Sequence, residues 1–184
     1  ELRGKTLGVV GFGRIGRAFA KRAQAFDMSI LAYDPYIAAD IAADMGAELV
    51  SLDELYSRAD FITLHSLITD ETRGMINRDS IAKMKQGVRI INAARGQLIN
   101  DADLAEAIKS GKVGGAALDV YAEEPPPAGQ PLIGLPGVIH TPHLAASSEE
   151  AQVAVAVEAA HLIVAALTTG EYKNVVNADG LKQS

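Results

Sequence analysis

Thr6-Leu7-Gly8-Val9-Val10-Gly11-Phe12-Gly13-Arg14-Ile15-Gly16 carries an apolar run straight into a Gly-x-Gly-x-x-Gly. An unbroken apolar run of this length predicts a strand over Thr6–Val10, covered on both faces. The helical spacing of Ile15, Ala18, Phe19 and Arg22 predicts a helix over Arg14–Ala25. The next run, Ser29–Tyr33, ends on Asp34. A glycine pattern alone fits any tight turn. Strand, glycine turn, helix, strand and acid in this order form a dinucleotide fingerprint. Gly11 permits the turn, Gly13 lets the backbone approach a pyrophosphate, and Gly16 lets the helix pack on the strand. Amides near Arg14 and Ile15, at the helix N-terminus, face the phosphates. The Asp34 carboxylate can accept hydrogen bonds from the adenosine ribose and repels a 2′-phosphate. Pro35 and Tyr36 follow it, with no Arg or Lys to hold such a phosphate. The pattern predicts NAD rather than NADP.

Outward from this segment, apolar runs alternate with helical patterns. Strands are predicted at Glu48–Val50, Phe61–Leu64, Arg89–Asn92, Gly114–Val120 and Val138–Thr141. Ala38–Met45 reads as a short helix closed by Gly46, and Asp101 as the cap of a helix reaching Ser110, stopped by Gly111. An Ala-rich helix is predicted from about Ser147 to Thr169. Glu123–Leu135, with three consecutive prolines, is a loop. The fold class is α/β: a doubly wound parallel sheet of Rossmann type, about seven strands, with helices on both faces.

The composition narrows the partners. Apolar residues make up 48% of 184 and aromatics 5%, which suits an aliphatic α/β core. A formal charge of −6 gives no electrostatic reason to seek nucleic acid or an anionic membrane. With no cysteine, disulfides, thiolate metal sites and a Cys nucleophile are excluded. The longest apolar-rich stretch, Ala151–Leu167, is interrupted by Gln152, Glu158 and His161, so no spanning helix is expected. The histidines show no metal-ligand spacing, and no metal is expected. The chain opens at Glu1 with a strand almost at once, which reads as a piece of a longer protein.

Three polar residues follow predicted strands, at the carboxyl ends where open α/β sheets bind ligands. Arg95 follows Arg89–Asn92, Glu124 follows Gly114–Val120, and His143 follows Val138–Thr141. Hydride transfer to a 2-oxo acid needs a cation for the carboxylate or carbonyl, a proton donor near neutral pH, and a carboxylate that orients the donor. On the residues alone, a surface Arg, a loop Glu and a capping His are an equal alternative.

Several long segments, in order, resemble the nucleotide-binding domain of the D-isomer-specific 2-hydroxyacid dehydrogenases. They are Glu1–Gly16, Tyr33–Tyr36 (YDPY), Ala59–His65 (ADFITLH), Ile91–Gly96 (INAARG), Ala117–Pro125 (ALDVYAEEP) and Thr141–Gln152 (TPHLAASSEEAQ). The resemblance implies a catalytic set of Arg95, Glu124 and His143, with Glu123 the weaker choice beside Glu124. It also implies cofactor contacts from Gly11, Gly13, Arg14, Ile15, Gly16, Asp34, Ser66, Thr72, Ala93, Arg95, Asp119 and His143. His65, His140 and His161 are read as structural. Two departures touch nicotinamide and substrate placement: Ser66-Leu67-Ile68 lacks the usual Pro, and Ala145 stands where Gly is usual.

The wording is nearest to the branch that oxidises D-3-phosphoglycerate, the first step of serine biosynthesis. Glyoxylate and hydroxypyruvate reductases are the near alternatives, and an NAD(H)-sensing corepressor-type module is another. The formate dehydrogenase branch carries Gln where Glu124 stands. The resemblance further implies a small 2-hydroxy or 2-oxo acid substrate, a cytoplasmic homodimer, and a substrate domain absent from residues 1–184. The family's chain returns to that domain near Asn174–Asn177. Alone, this piece is expected to be inactive or weakly active.

Overall fold

The computed structural model describes residues 1–175. Asn174–Asn177 therefore runs partly outside the described residues. The chain divides into two units, Glu1–His143 and the segment from Leu144 onward.

The first unit holds a seven-stranded, wholly parallel sheet. Its strands are β1 (Thr6–Val10), β2 (Ser29–Tyr33), β3 (Ala47–Leu49), β4 (Phe61–Leu64), β5 (Val88–Asn92), β6 (Val113–Leu118) and β7 (Val138–His140). The spatial order is β3-β2-β1-β4-β5-β6-β7. The chain winds outward from β1 to β3, then returns to β4 on the other side of β1. The reversal opens a crevice between the carboxyl ends of β1 and β4. Strands β1, β2 and β4 are buried along nearly their whole length, as a sheet covered on both faces requires.

Side-chain alternation along β1 separates two cores. Leu7 and Val9 join Ala20 and Ala23 of α1 (Arg14–Gln24) and Ala42 of α2 (Ala39–Asp44). Val10 faces the other core, with Leu55 and Tyr56 of α3 (Leu52–Arg58), Ile81 of α4 (Arg78–Lys83) and Leu104 of α5 (Asp101–Lys109).

Helix α1 does not bury the stripe its spacing predicts. Its buried residues are Gly16, Ala20 and Ala23, whereas Ile15 is 71% exposed and Phe19 38%. The reason is the closeness of helix and strand. A Cβ on Gly16 would lie 2.2 Å from the Gly11 carbonyl oxygen and 3.2 Å from Val9. Only the smallest side chains fit there, so the larger ones turn away from the sheet.

Helices α3 and α4 are not predicted above, although both carry start signals. Ser51 and Glu54 form a reciprocal capping box on α3, and Asn77 with Ser80 does the same on α4. Asn100, not Asp101, caps α5: its side chain accepts from the Asp103 amide, and Asp101 is already in the first turn.

The second unit contains α6 (Glu149–Thr169), capped by Ser148 and ended by Gly170 in the left-handed conformation. An 18-residue window of α6 has mean hydropathy 1.7, so the helix reaches membrane-spanning length and composition, contrary to the reading above. Single polar residues such as Glu158 interrupt the run without lowering the average enough. Val153, Ala154, Val155 and Ile163 distribute apolar surface around the helix, a pattern that also belongs to helices covered by protein.

Replacing Gly16 with Ala should destabilise the fold by about 1–3 kcal/mol, the usual cost of forcing an atom into a filled site. Urea unfolding of the domain checks this. An unchanged midpoint would show that α1 can lift off β1 freely.

Candidate active site

At the crevice, Gly11 takes φ +89°. A Cβ there would stand 2.7–2.8 Å from the backbone of His65 and Ser66, which leave β4. Glycine is thus required twice, for the turn and for the contact. Gly13 differs: a Cβ on it would meet no atom within 4 Å, so the space in front of α1 is open. Gly13 caps α1 without a side chain, and the first turn carries no acidic residue. A helix start with an open approach and no capping carboxylate fits a bound pyrophosphate.

Asp34 stands at the end of β2, opposite this turn. One carboxylate oxygen accepts from the Phe12 amide at 2.8 Å and the other from the Tyr36 amide at 2.9 Å. Each oxygen keeps acceptor capacity for a ribose hydroxyl. The carboxylate therefore ties β2 to the glycine turn and leaves negative charge and acceptor capacity beside it.

The remaining cofactor-contact candidates lie along the same edge. Ser66 follows β4, Ala93 follows β5 and Asp119 follows β6. The Asp119 amide donates to the Asn92 carbonyl, and its carboxylate accepts from the Thr141 hydroxyl. Exposed Arg14 and Ile15 flank the open helix start. The Thr72 hydroxyl donates to the Leu67 carbonyl and accepts from the Thr69 amide, so it shapes the loop after β4. These residues fit a dinucleotide.

Arg95, Glu124 and His143 line one cleft of about 230 Å³. His143 Nδ1 lies 2.7 Å from Glu124 Oε2. The other Glu124 oxygen accepts from the Tyr121 amide at 3.0 Å. The His143 bond, and then the Tyr121 amide, hold the Glu124 carboxyl below its ordinary 4.5. A lowered carboxyl pKa means that the ionised form, and the bond it makes, persists above that ordinary value. The contribution is lost as pH falls through the lowered value. An ionised carboxylate can only accept, so His143 Nδ1 carries the hydrogen of this bond. The His143 backbone sits at φ +54°, with its amide on the Asp119 carbonyl. That conformation costs about 1–2 kcal/mol in a residue with a Cβ, and such strain collects at functional sites. Glu123 makes no part of this cleft.

Three residues of the site are absent from the sequence reading. Buried Asn92 donates to the Arg95 carbonyl at 2.9 Å and accepts from the Ala94 amide at 3.0 Å, shaping the turn that carries Arg95. Gly96 and Tyr121 meet backbone to backbone: a Cβ on Gly96 would fall 1.9 Å from the Tyr121 carbonyl carbon. An Asn at a strand end and a Gly after an Arg were the available signals. His65, by contrast, is tucked against Phe19 with its Nε2 on the Thr63 hydroxyl, and burial lowers it to about 4. It is neutral at neutral pH. Among the described residues no three His, Asp or Glu side chains group as a metal site.

Fold and site together define a dinucleotide-binding α/β domain with a hydrogen-bonded Glu–His pair on its carboxyl edge. The family described as D-isomer specific 2-hydroxyacid dehydrogenase, NAD binding domain, matches residues 1–145. Over all 184 residues the chain is 52% identical to a D-3-phosphoglycerate dehydrogenase of Methanocaldococcus jannaschii, of which it spans 35%. A glyoxylate reductase from Paecilomyes thermophila superposes with TM-score 0.88 and 36% identity, over 97% of this chain and 54% of that one. An NAD-dependent formate dehydrogenase from Staphylococcus aureus, solved with NAD, gives TM-score 0.82 and 32% identity, over 95% of this chain and 52% of that one. The chain spans about a third of the curated relatives it matches most fully. It belongs to the D-isomer specific 2-hydroxyacid dehydrogenase family, as an NAD-binding domain.

Asp34→Asn should lower the preference for NAD over NADP by about tenfold or more, equivalent to roughly 1.4 kcal/mol. The amide keeps one acceptor oxygen but loses the charge that repels a 2′-phosphate. Titration of both cofactors against wild type and variant reads this directly. Equal binding of NAD and NADP by the wild type would contradict the assignment.

Proposed function

We propose that this chain is the cofactor domain of a cytoplasmic enzyme that oxidises D-3-phosphoglycerate to 3-phosphohydroxypyruvate, with Arg95, Glu124 and His143 as its catalytic residues. The 2.7 Å contact between His143 and Glu124, in one cleft with Arg95, carries this reading. Bound NAD supplies the hydride acceptor. The Arg95 guanidinium, always charged, holds the substrate carboxylate. Nε2 of His143 takes the hydroxyl proton as the C2–H bond breaks, and the Glu124 carboxylate stabilises the imidazolium that results. Gly11, Gly13, the start of α1 and Asp34 hold pyrophosphate and ribose. A substrate domain outside these residues closes over the edge and excludes water. The 52% identity over all 184 residues to a D-3-phosphoglycerate dehydrogenase, against 36% to a glyoxylate reductase, favours this substrate over glyoxylate.

In the full-length protein, His143→Ala should lower phosphoglycerate turnover by about 10²–10⁴-fold, the range for a positioned proton-transfer group, with NAD affinity nearly unchanged. Steady-state kinetics with cofactor titration test both halves. Normal turnover in the variant, or glyoxylate preferred to phosphohydroxypyruvate in reverse, would sink the corresponding part.

The reading includes a homodimer. Helix α6 carries apolar residues around its circumference, and a second copy of this helix would cover them. Sedimentation of the full-length protein should give a dimer at micromolar concentration. A monomer throughout that range would reject it.

A further inference from the structure

Arg95, Glu124 and His143 reach their common cleft from three separate strand ends, and one residue touches all three segments. The backbone of Tyr121 packs directly on Gly96, next to Arg95. Its amide donates to Glu124 at 3.0 Å. Its hydroxyl bonds Nδ1 of His140, the last residue of β7 and three residues before His143. The two rings are stacked at 6.1 Å. Tyr121 is 8% exposed, so its ring is fixed by packing as well as by the bond.

The Tyr121–His140 bond is one of two side-chain ties between the β6 and β7 ends that involve no proposed catalytic side chain, the other being Thr141 to Asp119. His140 Nε2 is buried with no partner, so Nδ1 makes the only hydrogen bond of that ring. Burial also pushes the Tyr121 hydroxyl above its ordinary pKa, which keeps it a hydrogen-bonding phenol. A buried polar atom left unsatisfied is costly. Retaining such an imidazole there is explained if its other nitrogen fixes something the site requires.

We propose that Tyr121, held by His140, is a positioning residue that sets the Glu124–His143 contact and its registry with Arg95. The proposal rests on the catalytic reading of those three residues. Loss of the hydroxyl bond frees the Tyr121 ring, loosens the amide that clamps Glu124, and weakens the carboxylate's support of protonated His143. The base then stays unprotonated to lower pH, and its alignment is poorer.

The test uses full-length protein with Tyr121→Phe, His140→Leu, the double variant and His140→Gln. His143→Ala is assayed in parallel. Tyr121→Phe and His140→Leu should each lower kcat by roughly three- to tenfold, the range one hydrogen bond supplies. Both should move the rising limb of kcat/KM toward lower pH and leave KM for NAD unchanged. The double variant should be no slower than either single one, since both remove the same bond. His140→Gln, whose amide can still meet the phenol, should recover most of the rate. Wild-type kcat and pH profile in Tyr121→Phe, or additive losses in the double variant, would overturn the proposal. If Tyr121→Phe fails to fold by circular dichroism, the His140 pair decides: a fast Gln and a slow Leu support it, and equal rates overturn it. A fully active His143→Ala would instead show that the underlying catalytic reading has failed.

Discussion

Gly11 lies where β1 and β4 part, and the missing side chain at this residue governs the rest of the domain. A single Cβ there would press into the backbone leaving β4, and one on Gly16 would press into Gly11 itself. Two neighbouring close approaches thus fix helix to strand and strand to strand at one point. The open ground before α1 exists because Gly13, between them, meets nothing. Close packing on both sides thus leaves an open helix start with no acidic residue in its first turn, a geometry that suits an anion.

The carboxyl edge of the sheet then acts as a ruler. Parallel register places the ends of β1, β4, β5, β6 and β7 side by side, so each following residue joins one line. Asp34 is tied back to this line through the Phe12 amide, and Asp119 through Thr141. Asp34 and Asp119 are therefore each held by a bond to a neighbouring strand end, which favours preorganisation.

Two histidines at this edge show how the surroundings assign chemistry. His65 is packed beneath Phe19 and bonded to a neutral hydroxyl; burial alone acts on it, and it stays uncharged. His143 is half-exposed, with Nδ1 bonded to the Glu124 carboxylate. Identical side chains, both following strands of this sheet, thus meet a neutral hydroxyl in one place and a carboxylate in the other.

The sequence by itself determined the elements whose signals are local. Unbroken apolar runs, the turn glycine and the acid ending β2 are short-range constraints, so β1, the glycine turn, α1 and β2 with its closing Asp34 were legible. The capping boxes at Ser51 and Asn77 were equally legible signals. Tertiary structure alone decided which face of α1 is buried, because the sheet's nearness excludes Ile15 and Phe19 in favour of Gly16, Ala20 and Ala23. It alone brought Glu124 to His143, nineteen residues away, and both to Arg95. Spacing along a chain carries no distance between strand ends until parallel pairing sets the strand order. Tyr121 was illegible for the same reason, since its backbone meets Gly96 and its hydroxyl meets His140 only once β5, β6 and β7 lie side by side.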